Sequence, residues 1–167
     1  MDRVEHTPKV TPNLSPPDGR TLCRFMGEGA LTKGLDSAWW ALRIGLGLGP
    51  LLAGLDKFFN LLTDWGMYLS PLAEKIVPVS APVFMRTVGV IEMAVGLLIL
   101  AGWTRLGGYM LAAWLAAIAV NLVTTGMFYD LAVRDVEIAL GAYTLAMLTE
   151  AREGARGGTL GRSRAAA

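Results

Sequence analysis

The 167-residue sequence is poor in the residue types that carry most cofactor chemistry, with one cysteine, Cys23, and one histidine, His6. A single cysteine cannot form an internal disulfide, and neither residue belongs to a Cys/His spacing that binds structural zinc. Residues 38–149 contain no histidine, which excludes bis-histidine haem ligation there, and no cysteine for thiol chemistry. We therefore predict no metal site and no intrinsic cofactor.

Charge is also scarce in this sequence. Only 17% of the residues are charged and the net charge is +1, so there is no basic field to attract nucleic acid. Hydrophobic residues instead make up 53% of the chain, and the mean hydropathy is +0.46. This balance is high for a soluble domain and indicates a membrane protein.

Four apolar stretches are each long enough to cross about 30 Å of hydrocarbon as a helix. They cover about residues 38–59, 83–103, 106–125 and 131–149. All four are rich in glycine and alanine, as membrane helices often are. The sequence thus predicts an all-α integral membrane four-helix bundle whose surroundings are the lipid bilayer.

Polar segments flank these stretches at both ends. Residues 1–37 contain Pro8, Pro12, Pro16 and Pro17 among mixed charges, which favours an extended tail. Residues 150–167 hold arginines among glycines and alanines and are predicted to be disordered alone. Since neither tail resembles a folded domain, we expect both to bind other protein subunits.

The basic residues predict the orientation of the bundle. Lysine and arginine concentrate in the two tails and at Arg105, in the short turn between the second and third helices, which places both termini in the cytoplasm. The aromatic residues agree with this orientation, because interfacial belts hold tryptophan and tyrosine. The predicted inner belt is Trp39, Trp40 and Trp103, and the predicted outer belt is Trp65, Tyr68 and Tyr129.

Helical periodicity places most of the ionisable residues of the helices on faces rich in small residues. On the first helix, Arg43, Gly47, Pro50, Gly54 and Lys57 share one face; on the second, Glu92 lies between Gly89 and Gly96; on the fourth, Arg134 and Glu137 share a face with Gly141. Small residues let neighbouring backbones approach, so these faces are predicted to turn inward. Asp56 and Asp135 point away from them and are predicted to lie at the membrane interface.

Depth along the helices predicts one polar cluster in the outer half of the bundle. Its members are Lys57, Arg86, Glu92, Asn121, Arg134 and Glu137, whereas Arg43 stands apart as a structural charge nearer the cytoplasm. The cluster can be an ion-pair network that fixes helix register without a ligand. It can also be a pocket for a quinone-like head group or small polar substrate, or a proton relay through Glu92 and Glu137. The near balance of cations and anions favours ion pairing.

Several short motifs occur in a characteristic order. The first helix opens with Arg43-Ile44-Gly45 and closes with residues 54–58, Gly-Leu-Asp-Lys-Phe. The second carries Gly89, Glu92, Gly96, Leu97 and Leu98, followed by Gly102 and Arg105, and Arg134-Asp135 opens the fourth. Over residues 38–149 this order resembles the DoxX-like membrane proteins. The matching ionisable positions are Arg43, Lys57, Glu92, Arg105, Arg134 and Asp135.

The resemblance implies a four-helix bundle in the cytoplasmic membrane of a bacterium and an association with redox processes, including thiosulfate:quinone oxidoreductases. We expect an accessory, non-catalytic subunit of a redox or respiratory membrane complex. Two alternatives remain open. The chain could be a quinone-reactive subunit of a sulfur-compound oxidoreductase, with Lys57, Glu92, Arg134 and Glu137 orienting the quinone. It could also be a small-molecule transporter, although no inverted repeat is evident.

Overall fold

The structure, a computed structural model, describes residues 19–76 and 79–165, with side chains placed for residues 29–155 except 73 and 76–78. The regular secondary structure of the described residues is entirely helical, without a strand. The elements are α1 (Gly19–Asp56), a 3-10 helix (Trp65–Tyr68), α2 (Pro71–Ile76), α3 (Ala81–Leu100), α4 (Thr104–Thr125) and α5 (Tyr129–Ala165). His6 and the four tail prolines lie outside the described residues, as does the side chain of Cys23.

The inner helices start and end close to their predicted bounds, but α1 and α5 are longer than predicted. α1 begins at Gly19, where the sequence predicted an extended tail up to residue 37. The four early prolines all precede this start, so nothing in residues 19–37 blocks a helix. α5 continues to Ala165, through a segment that was predicted to be disordered. The run Glu-Ala-Arg-Glu at residues 150–153 consists of strong helix formers and carries the helix onward.

The described residues fall into two units, those up to Asp36 and those from Ser37 onward. In the first, the side chains of residues 29–36 are exposed, and Thr32 Oγ1 donates to the Gly29 carbonyl oxygen at 3.0 Å. The second unit contains every contact described below.

Three helices are long and apolar enough to cross a membrane: residues Gly29–Asp56, Ala81–Leu100 and Thr104–Thr125. Their outer faces carry large exposed apolar side chains, among them Leu52, Val90 and Val120. Outward-facing apolar side chains suit lipid. α5 is not among these candidate spans, because charged residues flank its residues 138–149 on both sides. That uncharged stretch is about 18 Å long, which is short of a full bilayer crossing.

Four glycines bring α1 and α3 together along what we call the glycine seam, formed by Gly47 and Gly54 of α1 with Gly89 and Gly96 of α3. A Cβ built on Gly54 would lie 2.5 Å from the Gly89 carbonyl oxygen, and one on Gly96 would lie 2.6 Å from the Gly47 carbonyl oxygen. The two backbones therefore touch where neither has a side chain.

α4 packs along α5 and also against α3. At the α4–α5 contact, a Cβ on Gly108 would lie 2.9 Å from the Ala142 carbonyl oxygen and 3.1 Å from the Ala146 side chain. The main core cluster includes Ile99, Leu111 and Leu145, which are 1% exposed or less. Consecutive helices from α3 onward are neighbours, as their short connections predict.

Candidate functional site

A cavity of about 850 Å³ lies within residues 37–167, between α1, α3, α4 and α5. Most of its lining is apolar. The side of α1 that faces it carries Gly45, Gly49 and Ala53, and no atom lies within 4 Å of where a Cβ on either glycine would stand. Because Gly45 and Gly49 have no side chain, the space beside them is open. At the glycine seam, by contrast, atoms of the neighbouring helix fill the corresponding space. Polar groups also line the cavity: Lys57, Thr63, Trp65, Tyr68, Glu92, Trp114, Asn121, Arg134 and Asp135.

The Lys57 ammonium and the Glu92 carboxylate form a buried ion pair at the cavity wall. Lys57 Nζ donates to Glu92 Oε2 at 2.5 Å, and the two side chains are 4% and 9% exposed. Glu92 is brought to this position because it lies between Gly89 and Gly96, where α3 approaches α1. Two charges buried together in a region of low dielectric stabilise each other, and either one alone would be costly.

Asp135 places a second carboxylate at the same cavity. The residue is 9% exposed, lines the cavity and interacts electrostatically with Lys57, but it forms no ion pair or hydrogen bond within the described part of the chain. Its charge also acts on Glu92. The cavity therefore presents two carboxylates. Glu92 has Lys57 as a direct partner, whereas Arg134 and Lys57 act on Asp135 only through their charge.

The indole of Trp114 supplies a buried donor at the cavity. Its Nε1–H points toward the Glu92 carboxylate without reaching hydrogen-bond geometry, and it has no hydrogen-bond partner among the described residues. Buried polar groups are nearly always satisfied in folded proteins. A lone indole N–H beside a cavity is therefore a candidate contact for a ligand.

Asp56 anchors the loop that follows α1 over the end of the cavity where Lys57 and Trp65 lie. Its carboxylate accepts hydrogen bonds from the Leu61 and Leu62 amides and from Trp65 Nε1, the last at 2.8 Å. The Trp65 ring then lies 3.7 Å from Lys57 Nζ in a cation–π contact. Asp56 is only 7% exposed, because the loop folds back onto it, and its location at the membrane interface stays a prediction.

Asn121 ties the far end of the same loop to α4. Its Nδ2 donates to the Tyr68 carbonyl oxygen at 2.8 Å, and its Oδ1 accepts from the Ser70 amide at 3.3 Å. Tyr68 also packs edge-to-face on Phe128, at 4.9 Å between ring centroids. The amide of Asn121, which was predicted to contact a ligand, is engaged by the loop backbone instead.

Arg43 lies at the other end of the glycine seam. Its guanidinium donates to the Ile99 and Leu100 carbonyl oxygens at 3.1 and 2.8 Å, where α3 ends and its last carbonyls lack intrahelical partners. The same group stacks on Trp39 and Trp40. Trp39 Nε1 in turn donates to Thr149 Oγ1 on α5 at 2.8 Å.

Four of the six predicted cluster residues line the cavity: Lys57, Glu92, Asn121 and Arg134. Arg86 and Glu137 do not, because they lie on exposed faces of α3 and α5.

The buried face of α5 differs from the prediction. Asp135 was expected at the membrane interface, yet it is buried, and Glu137 was expected inside, yet it is exposed. The prediction took Gly141 as the mark of the packing face, but no atom lies within 4 Å of a Cβ built there. The packed face runs through Ala142 and Ala146 instead, and Asp135 lies seven residues before Ala142 on that face.

Comparison with known protein families, with curated proteins and with solved structures finds no match to this chain.

Proposed function

We propose that this protein is a multi-pass membrane subunit that binds a lipid-soluble molecule of the quinone class in the cavity between α1, α3, α4 and α5. It would serve a redox or respiratory complex of a bacterial cytoplasmic membrane. The observation that carries the proposal is the cavity itself, with a mainly apolar lining and a few polar groups that include Lys57 and Glu92. Its volume falls in the range of about 300–1,000 Å³ common to small-molecule sites.

The arrangement suits an amphipathic ligand better than a small polar one. Gly45, Gly49 and Ala53 leave room for an apolar ring or tail, while Lys57 and Trp114 offer donors for a carbonyl oxygen. The DoxX-like resemblance, with its link to quinone oxidoreductases, supports the same ligand class. No feature of the cavity favours transport.

A partner protein would supply the electrons. Residues 38–149 contain neither histidine nor cysteine, the residues that commonly hold haem and iron–sulfur groups. This is why we assign the chain an accessory role. In the proposed arrangement α5 is the fourth span, both termini are cytoplasmic, and the cavity lies toward the outer leaflet. The close packing of α5 on α4 supports the fourth span.

Tryptophan fluorescence provides a direct test, because quinones quench it and two tryptophans, Trp65 and Trp114, line the cavity. The purified chain in lipid nanodiscs is titrated with decylubiquinone. We expect saturable quenching, and Gly49→Leu should weaken binding at least about tenfold by filling the cavity.

Gly141→Leu is the matched control, because its side chain would enter open space away from the cavity. It should bind like the unmodified protein. Quenching that does not saturate, or that is equal in both variants, would overturn the proposed ligand site. Partner association is tested by mild-detergent purification at native abundance, where stoichiometric co-purifying subunits are expected; a free monomer or homodimer would contradict the accessory role.

A further inference from the structure

Asp135 is a hydrogen-bond acceptor that the protein leaves unused. About nine-tenths of the residue is buried, it lines the cavity, and no described residue donates a hydrogen bond to it. Arg134 and Lys57 act on it electrostatically, but Lys57 is already in contact with Glu92, and neither cation forms an ion pair or a hydrogen bond with Asp135. A carboxyl group can accept a hydrogen bond in either protonation state. Leaving that capacity empty beside a cavity costs free energy unless something else fills it.

Trp114 adds the complementary group. Its Nε1–H is a donor without a partner, it lines the same cavity, and it faces Glu92, on which the charge of Asp135 also acts. The cavity therefore has one free acceptor and one free donor. A hydroxyl group satisfies both needs, because it donates one hydrogen bond and accepts others. A carbonyl oxygen can only accept, and it would leave an ionised Asp135 carboxylate unsatisfied.

We infer that this cavity recognises a lipid-soluble molecule through a hydroxyl group that donates to Asp135, and so prefers the reduced, quinol form of its ligand to the quinone. The inference rests on the proposed function and adds the chemical form of the ligand to it. Only binding is assigned to Asp135. Its neighbours on α5 cannot replace it as an acceptor, because Arg134 lines the cavity but has only donors, and Glu137 does not line the cavity.

The test compares two probes that differ only in their oxygens. Binding of decylubiquinol and decylubiquinone to the full chain in detergent micelles is measured by titration calorimetry under anaerobic, reducing or oxidising conditions, with empty micelles subtracted. A hydrogen bond to a carboxylate predicts that the quinol binds about 10–100-fold tighter. Asp135→Ala should reduce this preference to less than about threefold, and Glu137→Ala, which removes an exposed carboxylate from the same helix, should keep it.

A third probe separates hydroxyl recognition from recognition of the quinol ring. 4-Nonylphenol carries a hydroxyl on an apolar body, and its displacement of decylubiquinol from the unmodified protein, but not from Asp135→Ala, would support the inference. Equal, saturable binding of quinol and quinone to the unmodified protein would overturn it while leaving the proposed quinone site intact. Binding of neither quinol, quinone nor phenol would overturn both. The comparison of the probes on the unmodified protein needs no variant, so it holds even where Asp135→Ala fails to fold.

Discussion

Helix α1 carries two sets of glycines that do opposite things. Gly47 and Gly54 lie in the glycine seam, where a Cβ would collide with the backbone of α3 or a side chain from it. Gly45 and Gly49, on the neighbouring side of the helix, have no atom within 4 Å of a Cβ position and face the cavity. One residue type thus brings one pair of helices into contact and keeps another surface empty. The contrast teaches that a glycine pattern alone does not tell a packing face from a ligand face.

The largest effect is expected at Lys57, where the seam ends and the cavity begins. Lys57→Met leaves the Glu92 carboxylate buried without its partner, which should lower the free energy of unfolding by about 3–5 kcal/mol. The double variant Lys57→Met/Glu92→Met removes both charges and should lose less than Lys57→Met alone. Unfolding in sodium dodecyl sulfate, followed by far-ultraviolet circular dichroism, measures both. Strictly additive losses would show that the two groups do not depend on each other.

The next effect separates the two glycine sets directly. Gly54→Ala forces a methyl group toward the Gly89 carbonyl oxygen and should lower the free energy of unfolding by about 1–3 kcal/mol. Gly49→Ala adds the same methyl group to open space. Because alanine has a better helix propensity than glycine, this change should raise the free energy of unfolding by about 0.5–1 kcal/mol. The same detergent titration compares them. If both changes have the same sign, the distinction between seam and cavity wall is wrong.

The smallest effect concerns the contact of α1 with α5, which is polar and not glycine-mediated. Thr149→Val removes the acceptor for Trp39 Nε1 at nearly constant volume and should cost about 1 kcal/mol. Thr144→Val, on the exposed face of α5, removes a hydroxyl that bonds only to the Leu140 carbonyl in the same helix and should change stability by less than about 0.5 kcal/mol. Equal losses at the two threonines would mean that the Trp39 contact contributes nothing.

The sequence was sufficient to identify the faces through which α1 and α3 meet. Gly47, Gly54 and Lys57 repeat with helical spacing on a single face, and Glu92 lies between two glycines of α3, so both faces could be recognised. Since a buried lysine and a buried glutamate favour pairing, their contact was also within reach. Three of the four predicted spans are helices of suitable length and hydropathy. The fourth, the orientation and the ligand remain predictions.

The buried face of α5 and the path of the loop could not be predicted from helical periodicity, because both depend on contacts between elements. α5 carries two candidate small-residue faces, one through Gly141 and one through Ala142 and Ala146, and only the position of Gly108 on α4 selects the second. Once that face is buried, Asp135 is buried too, because it lies on the same face. The path of the loop over the cavity could not be predicted from the sequence, because it depends on the hydrogen bonds of Asp56 with residues up to nine positions away.

The contacts of Arg43 and Lys57 also have a consequence for biosynthesis. Both cations are on or next to α1, but the Ile99 and Leu100 carbonyls and the Glu92 carboxylate that receive them belong to α3. While the chain is being made, α1 leaves the ribosome first and carries two unneutralised charges, each costing about 2.5–3.5 kcal/mol deep in the membrane. α1 is therefore a poor span until α3 arrives beside it. Nascent chains that stop short of residue 100 should be retained at the insertion machinery or degraded.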